Sequence, residues 1–141
     1  TDTGWAKAAW GCLFGQWILG ARVFVHNTPR FETKVTLHLL STAGITSFCA
    51  PPTAYRVLVQ EDELQKKTYP TLRHCTSAGE PLNPEAIAIW KKATGLSIYD
   101  GYGQTETVNI VANYPCLPIK PGSMGKPTPG FDVAVIDDEG N

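Results

Sequence analysis

The sequence has almost no net charge. Its 141 residues carry 12 Lys and Arg against 13 Asp and Glu, a formal net charge of -1, so it lacks the basic footprint that a nucleic-acid backbone requires. Cysteine is scarce and scattered. The four at positions 12, 49, 75 and 116 include no Cys-x-x-Cys pair, which argues against a zinc site or disulfide frame and for reduced, buried thiols in an intracellular protein. His26, His38 and His74 form no metal-ligand spacing and read as structural or surface residues. No apolar run reaches membrane length. The most apolar stretch, 8–25, is interrupted by Gln16 and Arg22 and punctuated by Gly11, Gly15 and Gly20, so it falls short of a transmembrane segment. It also lacks the basic start and cleavage site of a signal peptide and reads as buried core. No internal repeat is visible. There is no initiator Met, and the chain closes on Asp137-Asp138-Glu139-Gly140-Asn141, a hairpin signal with no second strand after it. Both features suggest a piece of a longer protein.

Hydrophobic residues make up 43% and charged residues 18% of the chain, a balance for a globular, well-buried domain. A helix is expected from Trp5 to about Leu19, with Trp10 and Trp17 packed into the core, and a buried strand from Arg22 to His26. A second helix spans Glu32 to Thr42, with Val35, Leu39 and Ala43 one turn apart and Gly44 as its stop. Further strands are expected over 46–50, 72–76, 97–99, 107–112 and 131–137. Between them, Pro52 suits the start of a helix running to about Glu61. Asn83-Pro84-Glu85 combines a capping residue, a first-turn proline and an acid at the positive end of the dipole. Ala86, Ile89, Trp90 and Ala93 are its buried stripe. Strands alternating with helices imply an α/β fold with a mostly parallel sheet flanked by helices. Ligands in such sheets bind outside the carboxyl ends of the strands.

Two polar loops lie at such ends: 77–82, and the stretch Asp100-Gly101-Tyr102-Gly103-Gln104-Thr105-Glu106-Thr107. In the second, two glycines let a ligand approach the main chain, Tyr102 offers a flat face, Gln104 and Thr105 donate hydrogen bonds, and Glu106 is a hard oxygen ligand suited to Mg²⁺. These are parts of a nucleotide site with a metal at one end. A Gly-x-Gly with polar neighbours is equally a tight turn after a strand, and it is no dinucleotide fingerprint, because Glu106 stands where the third glycine belongs.

Four ordered motifs carry a resemblance: Asp2-Thr3-Gly4-Trp5, Ser77-Ala78-Gly79-Glu80-Pro81-Leu82, Tyr102-Gly103-Gln104-Thr105-Glu106-Thr107 and Gly122-Ser123-Met124-Gly125-Lys126-Pro127. Across essentially its whole length the chain resembles the adenylate-forming, AMP-binding superfamily, nearest to medium-chain acyl-CoA synthetases and acetyl-CoA synthetase-like ligases. The resemblance implies residues 1–141 are the central part of the large N-terminal domain, ending in strands of a β-rich subdomain. The phosphate-binding loop would lie upstream and the C-terminal lid downstream, both outside these residues. It implies a two-step ligase using ATP, Mg²⁺ and coenzyme A on a medium-chain or short carboxylic acid. By the same resemblance, Gly79, Glu80 and Pro81 line the adenine, Asp100 and Gly101 read its edge, and Tyr102 stacks on it. Thr105 binds the α-phosphate and Glu106 holds the metal, making these two the catalytic pair. Gly103 and Gln104 wall the nucleotide from the acyl group, and Trp5 with Gly103 borders the acyl pocket, although a plain core tryptophan explains Trp5 equally. Met124 and Lys126 read as a structural connector. An amino-acid-activating domain of a peptide synthetase is the nearest alternative, with Asp2-Thr3-Gly4-Trp5 and Gln104 leaning against it. A non-catalytic nucleotide-binding module of the same fold is another.

Overall fold

The computed structural model describes residues 6–140. Trp5 therefore lies outside the described residues. An opening π-helix, Lys7–Phe14, runs into a single α-helical turn, α1 (Gly15–Ile18). The remaining elements are α2 (Thr33–Thr42), β1 (Ser47–Cys49), α3 (Pro52–Leu58), α4 (Glu63–Lys66), β2 (His74–Ala78), α5 (Pro84–Thr94), β3 (Ile98–Gln104), β4 (Val108–Ala112) and β5 (Lys126–Pro127). The strands form one mixed sheet in the order β1-β2-β3-β4-β5. β1, β2 and β3 pair in parallel, as alternating strands and helices require, whereas β4 and β5 add in antiparallel fashion.

Proline sets two helix starts. Pro52 and Pro84 both occupy the first helical turn, each preceded by an extended residue, Pro51 and Asn83. Asn83 holds the capping position without a side-chain hydrogen bond, so the proline and the dipole-matched charges define α5: Glu85 in its first turn, Lys91 and Lys92 in its last. On α2 the buried residues are Leu37 and Leu40. The expected stripe of Val35, Leu39 and Ala43 is displaced because the two-leucine face meets α3 and α4.

The core lies between one face of the parallel strands and α2 to α5. Trp90, fully buried on α5, is its centre. Its ring stacks on Phe48 of β1 (6.2 Å between centroids, 23° between planes) and meets the edge of Tyr55 from α3 (5.0 Å, 89°). Tyr69 closes a third side at 6.5 Å. Such ring pairs add to the burial of large apolar area. Leu37, Leu40, Leu58, Leu64, Cys75 and Ile98 complete the packing, each 1% exposed or less.

Three expectations fail, for one shared reason. The 8–25 stretch is not buried among the described residues: Trp10, Phe14 and Trp17 pack on one another along their helix while their outer faces meet solvent. Residues 22–26 and 131–137 are not strands, and Phe24, Val25 and Val135 are exposed. Apolar, β-branched sequence creates a strand only where another strand offers its ladder; among the described residues none does so for 22–26 or 131–137. The thiols also differ from expectation, since Cys75 is buried, Cys12 and Cys49 are half-buried, and Cys116 is exposed.

Removing the aromatic centre should be far costlier than removing an outer tryptophan. Trp90→Ala is expected to lower unfolding free energy by about 3–5 kcal/mol, and Trp17→Ala, at a residue 59% exposed, by about 0.5 kcal/mol or less. Urea unfolding followed by far-UV circular dichroism measures both; comparable losses would contradict the assigned core.

Candidate functional site

The pairing of β2 with β3 builds the site. Cys75, Thr76, Ser77 and Ala78 stand opposite Ile98, Tyr99, Asp100 and Gly101. Because the strands are parallel and the last residue of β2, Ala78, pairs with Gly101, Gly79 leaves the sheet beside Tyr102 on the continuing β3. The structure thus brings Gly79-Glu80-Pro81 and Tyr102-Gly103-Gln104 into one neighbourhood, as the motif spacing requires.

The second motif differs in form from the expected loop. Asp100 to Gln104 belong to β3 and are held between β2 and β4, with an irregularity in the β4 register between Tyr102 and Gly103. Only Thr105 to Thr107 turn, closed by the Thr107 N–H donating to the Gln104 carbonyl at 3.2 Å and by the Gln104 N–H donating to the Thr107 hydroxyl at 3.1 Å. The two glycines also have a different basis. Neither has a positive φ; a Cβ at Gly101 would lie 3.0 Å from the Val111 carbonyl oxygen, and one at Gly103 only 1.7 Å from that of Val108. Close passage of β4 demands glycine there. Gly79 is the position with an unusual backbone, φ +107°, which turns the chain sharply off β2.

Residues not singled out from the sequence hold the first loop. Arg56 of α3 donates to the Glu80 carboxylate at 2.6 Å and to the Pro81 carbonyl at 3.5 Å. Thr53 adds a 3.5 Å contact to Glu80. The Glu80 side chain and the Pro81 carbonyl are therefore both tied to α3. Lys7 of the opening helix donates to the Ala78 carbonyl. No motif marks Arg56 or Lys7; their roles appear only when distant elements are brought together. Asn113 links the site to the fourth motif, donating from its side chain to the carbonyls of Asp100 (2.9 Å) and Ser123 (2.7 Å). Lys126 pairs with Ala112 where β5 joins β4.

Asp100 is only 6% exposed and stands beside Ser77, 3% exposed. One carboxylate oxygen of Asp100 and the Ser77 hydroxyl lack hydrogen-bond partners. Burial pushes the Asp100 carboxyl pKa up, against the facing amides of Gly101 and Leu82 and the Lys7 ammonium, which pull it down. Tyr102, Gln104, Thr105 and Glu106 lie at the outer edge, with 40% of Tyr102 exposed. Glu106 has no companion ligands: among the described residues no group of three His, Cys, Asp or Glu is close enough for a protein-only metal cage. One open carboxylate beside two hydroxyls suits Mg²⁺ shared with phosphate oxygens, which takes few protein ligands. No helix of the described residues is long and apolar enough to cross a membrane.

The Asp100 environment predicts a pH effect. A carboxyl raised in the folded state contributes stability below its unfolded value, about 3.9, and that contribution is lost as pH rises through the folded value. Asp100→Asn removes the titration. Its unfolding free energy relative to the unsubstituted chain should therefore increase from pH 4 to pH 7 in urea titrations; a constant difference would show that burial does not perturb Asp100.

Residues 4–141 match the AMP-binding enzyme family. The chain is 56% identical over 140 residues to acyl-coenzyme A synthetase ACSM3, mitochondrial, of Mus musculus, covering 99% of this chain and 24% of the relative. It is 52% identical over 141 residues to the Homo sapiens ACSM5 enzyme, covering 100% of this chain and 24% of the relative. Thus the chain spans about a quarter of the length of these curated relatives. Among solved structures, a Brucella canis acyl-CoA synthetase aligns with a TM-score of 0.88 and 36% identity over 100% of this chain and 26% of its own. The anthranilate CoA ligase AuaEII in complex with anthranoyl-AMP aligns with a TM-score of 0.89 and 32% identity over 96% of this chain and 26% of its own. The mixed sheet, its paired carboxyl-edge motifs and this identity across the whole chain lead to one conclusion: the chain belongs to the AMP-binding enzyme family.

Proposed function

We propose that residues 1–141 form a section of the adenylation domain of an AMP-forming acyl-CoA synthetase, with the phosphate-binding loop and the lid domain supplied by sequence on either side. The observation that carries this reading is the β2–β3 register, which sets Gly79-Glu80-Pro81 beside Tyr102 at a carboxyl edge. The relatives' names, acyl-coenzyme A synthetases of mitochondria, support a carboxylic acid substrate and a mitochondrial, intracellular setting. A medium-chain or short acid is the proposed substrate, with no nucleic-acid partner.

In this reading the exposed Tyr102 ring stacks on adenine, and residues 79–81 line the base while Arg56 holds Glu80 and the Pro81 carbonyl. Asp100 has its carboxylate buried, so the adenine edge meets the peptide groups of 100–101. Gly103 and Gln104 separate the base from the acid, whose acyl chain would extend along Gly103 toward Trp5. The Thr105 hydroxyl donates to the α-phosphate, where negative charge accumulates as the substrate carboxylate attacks phosphorus and pyrophosphate leaves. Glu106 is the residue that would hold Mg²⁺, which supplies charge neutralisation to the phosphates. In the second step the thiol of coenzyme A attacks the acyl carbonyl and AMP departs. The section supplies positioning and fixed dipoles, the main protein contributions to such transfers.

The isolated 141-residue chain is expected to show no ATP–pyrophosphate exchange above background. In the full-length enzyme, Thr105→Val should lower kcat for adenylation by about 10²–10³, and Tyr102→Ala should raise the KM for ATP by about tenfold or more, from lost stacking of roughly 1–3 kcal/mol. Glu106→Gln should raise the Mg²⁺ concentration needed for half-maximal rate. Transfer to a carrier-bound phosphopantetheine instead of free coenzyme A would favour a peptide-synthetase domain.

A further inference from the structure

The first motif lies on a stretch, 79–83, that belongs to no helix or strand and runs between β2 and α5. Gly79 turns it off the sheet at φ +107°, and α3 supplies its anchor. The two terminal nitrogens of Arg56 take different acceptors: Nη2 donates to the Glu80 carboxylate at 2.6 Å and Nη1 to the Pro81 carbonyl at 3.5 Å. The other Glu80 oxygen accepts from the Thr53 hydroxyl at 3.5 Å. We propose that Arg56 is a positioning residue for nucleotide binding, a role that rests on the reading of 79–81 as part of the ATP site. Acting through Glu80 and the Pro81 carbonyl, it holds 79–81 in the conformation that receives adenine.

The helix that carries Arg56 is a firm base for such a clamp. Tyr55 and Leu58 of α3 are fully buried. The Tyr55 hydroxyl lies 3.2 Å from the Thr76 carbonyl of β2 and 3.4 Å from the Phe48 carbonyl of β1. Arg56, the next residue, is therefore fixed relative to the strand from which the loop departs. A guanidinium suits two acceptors at once, because its planar fork presents N–H donors in set directions, whereas an ammonium is a single point charge. The Arg56 and Glu80 side chains remain 38% and 43% exposed, so water screens the pair and its share of global stability is small. Its loss removes loop geometry and leaves the fold.

The consequence is a shift in population. Without these bonds 79–81 samples further conformations, and apparent affinity for ATP falls with the fraction that stays competent. Once ATP is bound the loop is ordered, and attack of the substrate carboxylate on phosphorus proceeds as before. The signature is a raised KM for ATP at unchanged kcat, the pattern of an interaction lost from binding and not from the chemical step.

In the full-length enzyme, Arg56→Met should raise the KM for ATP about three- to tenfold. The kcat for adenylation and the KM for the carboxylic acid should stay within about twofold of the unsubstituted values. Arg56→Lys should recover part of the loss, and adding Glu80→Gln to Arg56→Met should change little more, because both act on one contact. ATP–pyrophosphate exchange measures each variant, and far-UV circular dichroism reports its folding. A lower kcat at unchanged KM for ATP, or no change in either, overturns the proposal. Should Arg56→Met fail to fold, Arg56→Lys decides, and an unchanged KM for ATP in that variant overturns the proposal as well. Failure of the ligase reading looks different: the unsubstituted enzyme would then form no acyl-adenylate from ATP, and the role of Arg56 would fall with it.

Discussion

Everything at the carboxyl edge depends on the parallel register of two strands. With Ala78 opposite Gly101, the residues that leave β2 and those that continue β3 emerge together. A shift of one residue would reverse which side chains face the helices. Asp100 and Ser77 would then leave the core side, and Cys49 would lose Thr76 as its partner. The register is held from both faces. On one, Cys75 and Ile98 enter the packing around Trp90; on the other, the His74 and Tyr99 rings stack at 4.9 Å across the same pair of strands.

The candidate site is made more of backbone than of functional side chains. Glu80, the most conspicuous group in the first motif, is occupied by Arg56, and its contribution is to fix a loop. An exposed pair of this kind is worth about 0.2–1 kcal/mol in stability, so its significance is geometric. Gly101 and Gly103 serve the passage of β4, and that passage in turn places the Thr105–Thr107 turn and its exposed Glu106. Three contacts from distant elements bind the loops of the candidate site: Arg56 from α3, Asn113 from beyond β4 and Lys7 from the opening helix.

The sequence was most legible where punctuation and periodicity agreed. Pro52, Pro84 and Gly95 marked helix ends that the structure keeps, and Trp90 was recognisable as a core residue from its place on α5. Four of the six expected strands after the opening helix, apart from their limits, occupy the expected positions. The two that do not, 22–26 and 131–137, were inferred from local composition, and pairing is a property of two segments. The same holds for the 8–25 stretch, where hydrophobicity expresses a capacity for burial and a neighbour must realise it. The α2 stripe failed more narrowly, because two apolar faces were available and only contact with α3 and α4 distinguished them. Within the site, the motif residues were visible and their supports were not. Arg56 acts across 24 positions and Lys7 across 71, distances at which no local pattern exists.

Glycine shows how a correct residue can carry an incorrect explanation. Gly101 and Gly103 were identified from sequence as part of the site, and a turn that admits ligand was the natural account of them. The structure gives them ordinary strand angles and a neighbouring strand too close for any side chain. Replacing Gly103 would therefore displace β4 before it altered any pocket, and with β4 would move the turn that presents Thr105 and Glu106. The glycines act on the ligand region through the sheet, which makes the closeness of β3 and β4 the constraint that transmits packing to chemistry.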